Sequence, residues 1–339
     1  MNFIEEVKKN VLKYCKNTDK IAVAVSGGSD SLALVVALKQ AGFDVLAILV
    51  NHNLRKEAKQ EVIDTAKTLE KCGIKYTIKE WDGKYEKNLE AEARENRYKL
   101  LLNTCREHKI STLCIGHHID DQIETFLLNV ARGSGLDGLC AMPMFMVKNG
   151  IQIIRPMLTL KKQDCVEFLR SNGLSWCEDA SNKDTKYKRN KLRFLLEQIE
   201  DRDLLTKRVA NGIFLLQEVK EAVDDLIDEK MQDENLILIS KNEAKIEINK
   251  TAFVKLKPYL QKSILTKCIL KVAEKQYKPR LYQVENLIDA INTSKNFKRT
   301  LINCIIEMKN DVITIEKNNY FNPFTIFIKS SPLSSYDLY

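Results

Sequence analysis

The segment that most constrains this chain is residues 21–38. Ile21-Ala-Val-Ala-Val25 is a short apolar run without polar alternation, the pattern of a strand buried on both faces. Ser26-Gly-Gly-Ser-Asp-Ser31 follows at once, and residues 32–38 are apolar again. Two adjacent glycines permit a tight turn, and Ser29, Asp30 or Ser31 can start the next helix. Backbone N–H groups, hydroxyls and a helix N-terminus then converge on one point, which suits a phosphate or pyrophosphate. No Gly-Lys-Ser/Thr stands at Walker A spacing, and the dinucleotide pattern Gly-x-Gly-x-x-Gly is absent. An ordinary strand–turn–helix is the competing reading; the complete hexad after a valine-rich strand weighs against it.

Taken in order, the chain begins with an amphipathic helix over residues 3–16. Further strands are predicted at 44–51, 74–81, 111–116 and 151–154, with helices at 57–71, 88–108 and 120–132 between them. Strands alternating with helices predict an α/β fold, a doubly wound, mostly parallel five-stranded sheet with right-handed crossovers. Ligands in such sheets bind beyond the carboxyl ends of the strands. Ser26–Ser31, Asn51 to Arg55, His117 to Glu124 and Arg155 all fall there. Thr159 is predicted to cap a helix reaching Ser171, and a polar, basic tract follows at 179–193. Three regions are expected: a nucleotide-binding catalytic domain at 1–202, a helical connector at 203–235, and a smaller α+β domain at 236–339.

Lysine and arginine number 54 against 46 acidic residues, a mild lean towards a polyanionic partner. The nine cysteines are scattered with no Cys-x-x-Cys pair, which points to reduced thiols in a cytoplasm and against zinc or iron–sulfur ligation. The N-terminus lacks a signal-peptide profile, and no apolar run approaches a membrane span.

The second strong signal is Gly116-His-His-Ile-Asp-Asp-Gln-Ile-Glu-Thr125. Asp121 and Glu124 are three apart and share a helix face. One reading makes them a capping box, Asp121 the N-cap and Glu124 at N3. The other, favoured by two histidines and two aspartates at a strand's carboxyl end, makes them a site for Mg²⁺ or for an amine. Arg97 interrupts an apolar stripe with Ala93 and Leu101, so it either snorkels to the surface or reaches a phosphate or carboxylate. The cationic tract around Lys186, Lys188, Arg189 and Arg193 is either a solvated face or a contact with nucleic-acid phosphates. Met142, Met144, Phe145 and Met146 read as core or a mobile flap.

The hexad resembles the PP-loop of the ATP pyrophosphatases, the adenine nucleotide α-hydrolase-like fold. Beyond it, Asn51-His-Asn-Leu-Arg55, Ala93-Arg-Glu-Asn-Arg-Tyr98, His117–Leu128, Arg132-Gly-Ser-Gly-Leu136, Arg155-Pro-Met-Leu158 and Asp179–Asp184 with Arg189-Asn190 resemble the tRNA(Ile)-lysidine synthetases, in family order. The resemblance covers residues 20 to about 195; the rest matches in outline only. It implies a ligase that adenylates the wobble cytidine of a CAU-anticodon isoleucine tRNA and joins free L-lysine to C2, with ATP and Mg²⁺ as cofactors. It implies ATP contacts at Ser26, Gly27, Gly28, Ser29, Asp30, Ser31, Asn51 and His52, and chemistry at Asp30, His117, Asp121 and Glu124. Arg94, Arg97, Arg132 and Arg155 are expected on substrate or phosphate, Asp30 and Asp121 on the metal, and Lys186, Lys188, Arg189 and Arg193 on tRNA. A homodimer is left open, and no membrane partner is expected.

Three rivals remain at this stage. A PP-loop tRNA thiolase would want paired cysteines, and an amidotransferase synthetase a glutaminase domain or an N-terminal nucleophilic cysteine. A nucleotide-binding module without catalysis leaves the His117–Glu124 cluster unexplained.

Overall fold

A computed structural model describes residues 2–16, 19–51, 58–81, 89–177, 188–240, 244–274 and 278–318. The chain divides into two compact units, Met1–Lys220 and Glu221–Tyr339. The first runs α1 (Phe3–Leu12), β1 (Lys20–Val25), α2 (Ser29–Gln40), β2 (Asp44–Asn51), α3 (Ala58–Lys71), β3 (Lys75–Glu80) and α4 (Leu89–Glu107). It continues with β4 (Thr112–Ile115), α5 (Ile119–Ala131), α6 (Leu136–Leu139), β5 (Phe145–Lys148), β6 (Ile151–Ile154), α7 (Lys162–Ser171) and α8 (Lys188–Glu197), and α9 (Arg202–Met231) carries the chain into the second unit.

The sheet order is β3-β2-β1-β4-β6-β5. The five predicted strands are all present and pair in parallel. A sixth, β5, pairs antiparallel to β6, with Phe145 opposite Ile154. The sequence suggests core or a mobile flap at residues 142–146; Phe145 and Met146 instead open this edge strand. Asn149 and Gly150 between the two strands both have positive φ, 50° and 78°, as a tight hairpin turn requires. Phe145 then stacks on Tyr14 with ring centroids 4.7 Å apart.

Central burial explains the sequence of β1. Ile21, Val23 and Val25 join α1, α2 and α7 in one core, whereas Ala22 joins Leu46, Ile48, Leu101 and Leu102 in the core on the other face. Helix α2 is buried along nearly its whole length, so it is apolar all round rather than amphipathic. Each such leucine or valine stabilises the fold by about 1.5–3 kcal/mol. Helix α7 starts at Lys162, later than the predicted cap at Thr159. Asp164 accepts the Lys161 N–H at 2.7 Å, and Asp120 accepts the Lys162 N–H at 3.0 Å, which fixes that start.

The second unit holds an antiparallel sheet in the order β7 (Ile237–Ile239), β8 (Lys245–Asn249), β11 (Val312–Lys317), β10 (Cys304–Lys309) and β9 (Phe297–Leu301). Helices α10 (Lys250–Val254), α11 (Pro258–Ala273) and α12 (Leu281–Thr293) accompany it. Ile246, Ile248, Ile306, Ile313 and Ile315 build a core with Ile264, Ile269 and Leu287. Two tight turns, at Ile302–Asn303 and at Asn310–Asp311, all with positive φ, join β9 to β10 and β10 to β11.

Candidate active site

The phosphate loop closes on itself through hydroxyls. Ser31 Oγ accepts the Ser26 N–H at 3.1 Å and donates to the Gly28 carbonyl at 3.1 Å, and Ser29 Oγ donates to Asp30 Oδ1 at 2.9 Å. Gly28 is the N-cap of α2, so the first-turn N–H groups that no helix can satisfy face the loop. Gly27 has φ +89°, and a Cβ there would stand 2.5 Å from Thr65 Oγ1. Both facts demand glycine.

The carboxyl ends of β1 and β4 are the switch point of the sheet, and there the two strong motifs meet. A Cβ on Gly116 would lie 3.0 Å from the Asp30 carbonyl oxygen and 3.1 Å from Ser31 Cα. Gly116→Ala is therefore expected to force the loop and the start of α5 apart, costing about 1–3 kcal/mol by overpacking. Thermal melts and the KM for ATP would register it; wild-type values in both would contradict the close approach.

Helix α5 begins at Ile119, one residue before the predicted start, and its cap lies three residues before the Asp121 of the capping-box reading. His118 is its N-cap and Asp121 its N3 residue, accepting the His118 N–H at 3.1 Å, so Glu124 takes no part in a cap. The His118 ring is 1% exposed and stands among three carboxylates: Nε2 is 3.5 Å from Asp30 Oδ2 and 3.4 Å from Asp121 Oδ2, and Nδ1 is 3.4 Å from Asp120 Oδ2. Burial alone would lower its pKa, but the charges of Asp121, Asp120 and Asp30 outweigh burial and push it up to about 10. Burial would likewise raise Asp30 and Asp121; His118 overrides it in both, with Arg189 adding to the effect on Asp121, and holds them below the usual carboxylate range. His117, one residue earlier, is pushed down to about 3 by burial, against the pull of Asp121 and with Arg155 and Arg189 nearby. It stays neutral.

The sign of the pH dependence follows. His118 is raised from 6.5, so its stabilisation is complete below about pH 6.5 and is lost as the pH rises through about 10. The depressed carboxylates contribute above about pH 4 and lose their contribution on acidification. The melting-temperature gap between wild type and His118→Gln is expected to narrow steadily from pH 6.5 to 10. A constant gap would contradict this charge state.

Arg189 and Arg193 depart from expectation. Instead of facing outward to tRNA, both reach back to α5. Arg189 donates from Nε to Glu124 Oε2 at 2.5 Å and from Nη2 to Asp121 Oδ1 at 2.6 Å. Arg193 donates from Nε to Glu124 Oε1 at 2.5 Å and from Nη2 to Asp121 Oδ1 at 3.4 Å. Spacing of i, i+4 on α8 matches spacing of i, i+3 on α5, so two guanidinium groups meet two carboxylates. Sequence reasoning missed this pairing, although the two spacings announce matching faces.

The remaining predicted residues fall in distinct places. Arg155, at the end of β6, is buried; it donates to the Pro143 carbonyl at 2.8 Å, while its Nε has no hydrogen-bond partner. Arg97 lies on α4 with burial lowering its pKa and no carboxylate partner among the described residues; Arg94 stacks on Tyr98 at 5.9 Å. Asn51 closes β2 at the same rim, and its carbonyl accepts the Trp81 N–H at 2.8 Å. Arg132 is exposed at the far end of α5, about 12 Å along the helix from Glu124 and about 21 Å from His118, so it stands apart from the cluster. Lys188 is exposed; His52 and Lys186 lie outside the described residues. Gln122 and the Met142 backbone bond reciprocally at 2.7 and 2.8 Å, which pins the methionine segment as structure.

Among the described residues no three His, Cys, Asp or Glu side chains form a metal-holding group. Asp121 is engaged by both arginines through Oδ1 and by the His118 N–H through Oδ2, so any incoming cation there must displace a guanidinium. Asp30 remains as one carboxylate beside a phosphate nest. That donor set fits a Mg²⁺ arriving on nucleotide phosphates, not a resident protein cage. Among the described residues no disulfide joins any of the nine cysteines.

This fold and loop define a PP-loop nucleotide-binding domain, and the PP-loop domain family matches residues 2–199. The chain is 31% identical over 328 residues to a tRNA(Ile)-lysidine synthase of Wolbachia pipientis wMel, covering 94% of this chain and 75% of that one. It is 33% identical over 312 residues to a tRNA(Ile)-lysidine synthase of Rickettsia bellii, covering 87% and 69%. The chain belongs to the tRNA(Ile)-lysidine synthase family. Among solved structures, the U34-tRNA thiolase NcsA of Methanococcus maripaludis with its 4Fe-4S cluster aligns with a TM-score of 0.54 at 20% identity, over 63% of this chain and 78% of that one, a likeness of fold alone. No helix among the described residues is long and apolar enough to cross a membrane.

Proposed function

We propose that this protein ligates free L-lysine to C2 of the wobble cytidine in the CAU anticodon of isoleucine tRNA, at the expense of ATP, changing codon reading from AUG to AUA. The observation that carries the reading is the meeting, at one rim of the sheet, of a phosphate nest with an acidic pair suited to an ammonium ion. ATP is bound by the loop over Ser26–Ser31, where N–H groups and hydroxyls stabilise the negative charge that develops as pyrophosphate leaves. Asp30 would help hold a Mg²⁺ that arrives with the nucleotide, and that ion would supply further charge stabilisation there. The cytidine C2 oxygen becomes adenylated, and the lysine ε-amine displaces AMP.

The amine has a pKa near ~10.4, so it arrives as an ammonium and must lose a proton before attack. Asp121 and Glu124, now paired with Arg189 and Arg193, accept the ammonium in exchange for a guanidinium. Asp121 or Glu124 then takes the proton that the ammonium gives up. His117 is neutral and orients by hydrogen bonding, not by charge. Arg155 and Arg97 offer uncompensated guanidinium groups to a phosphate or to the lysine carboxylate. Lys188 remains for the RNA backbone, together with the 236–339 region as a tRNA-binding domain. Free L-lysine as the second substrate and a cytoplasmic setting are part of this proposal.

Thiolation is the alternative, and it requires sulfur carriers. Replacing all nine cysteines by serine or alanine is expected to preserve transfer of labelled lysine to the tRNA, with some loss of melting temperature because Cys105, Cys114, Cys165, Cys268 and Cys304 are buried. Lysine-independent modification, or activity that vanishes in a folded cysteine-free protein, would overturn the proposal.

A further inference from the structure

His118 was not among the residues expected to act, yet its ring is the junction of the site. Its Nε2 faces the phosphate-loop carboxylate Asp30 and the amine-site carboxylate Asp121 together, at 3.5 and 3.4 Å. Both ring nitrogens are buried, and among the described residues the groups facing them are carboxylates at 3.4–3.5 Å, beyond close hydrogen-bond contact, so charge dominates how the ring is held. On its other side Nδ1 faces Asp120, whose own oxygens take the Lys162 N–H at 3.0 Å and Arg202 Nη2 at 3.1 Å. The ring is thereby anchored to the starts of α7 and α9.

We propose that His118 is a positioning residue that ties the phosphate-loop carboxylate to the amine-site carboxylate through a single ring nitrogen, so that nucleotide and lysine occupancy are felt at one atom. This rests on the proposed roles of Asp30 and Asp121. The physical argument is electrostatic. The two carboxylate oxygens that share Nε2 are no more than about 7 Å apart, close enough to repel without a cation between them. Binding that moves or neutralises either carboxylate changes the field on the ring. Loss of the ring frees both carboxylates to turn away from their ligands, so both partial reactions suffer.

The test uses the full chain. It has only four histidines, so ¹⁵N-histidine spectra resolve each ring, with His118→Gln for assignment. His108, exposed at the opposite rim after α4, is the internal control. An α,β-methylene analogue of ATP alone, and L-lysine alone, are each expected to shift the His118 nitrogens more than those of His108. In kinetics normalised to active-site concentration, His118→Ala is expected to lower the adenylation rate and raise the KM for lysine, each at least tenfold. His118→Gln, which keeps a donor near the Nε2 position, is expected to recover part of both. A ring that responds to one ligand or to neither overturns the tie. So do variants that melt earlier but keep both kinetic constants, or lose only one. If His118→Ala does not fold, the wild-type spectra and His118→Gln decide. Lysidine formation is followed on the same wild-type preparation: its absence rejects the proposed function and the tie with it, whereas lysidine formation with a silent His118 rejects the tie alone.

Discussion

Asp121→Asn combined with Glu124→Gln is expected to slow the lysine-dependent step by at least about a hundredfold while leaving adenylation within a few-fold. Each carboxylate offers an ammonium a charge-assisted hydrogen bond, worth roughly 1.5–3 kcal/mol, so losing two gives about 3–6 kcal/mol and a factor of about 10² to 10⁴. The structure adds a second consequence. Arg189 and Arg193 lose their partners, and both are only partly exposed, so α8 is held less firmly against α5. Neutral amides still accept hydrogen bonds from guanidinium, which keeps the double variant testable as a folded protein. The checks are single-turnover pyrophosphate release and lysine transfer on one preparation. Equal losses in both steps would move the pair away from the amine.

The second large effect is at Asp30. Asp30→Ala is expected to lower the rate of pyrophosphate release by about 10²–10³, the scale seen when one preorganised electrostatic contact to a developing charge is removed. Its carboxylate is partly exposed at the loop, and His118 keeps Asp120 and Asp121 as neighbours, so the fold is expected to survive. Pyrophosphate release at the normal rate by the folded variant would remove Asp30 from the nucleotide step.

Much of this site was legible in the residues because its parts are local. A phosphate nest is written in consecutive residues, and a strand buried on both faces declares itself by composition. The sheet order then places the end of β4 beside the loop without further information. The Arg189 and Arg193 pairings are different in kind. They join residues 65 to 72 positions apart, and a charge run looks the same whether it faces solvent or a carboxylate pair. Strand β5 is hidden by the methionines at and before its start, although Asn149-Gly150 is a hairpin signal that outweighs them. His118 could not be told from His117 in sequence. One step along the backbone makes His117 a neutral ring beside arginines and His118 a cation among aspartates.

The most direct measurement is mass analysis of nucleosides from a CAU-anticodon isoleucine tRNA transcript, incubated with this protein, ATP, Mg²⁺ and L-lysine. The account predicts a cytidine joined to lysine with loss of one water, formed only when ATP and lysine are both present. A sulfur-for-oxygen shift on the nucleoside, or an unmodified wobble cytidine despite ATP turnover, would contradict it.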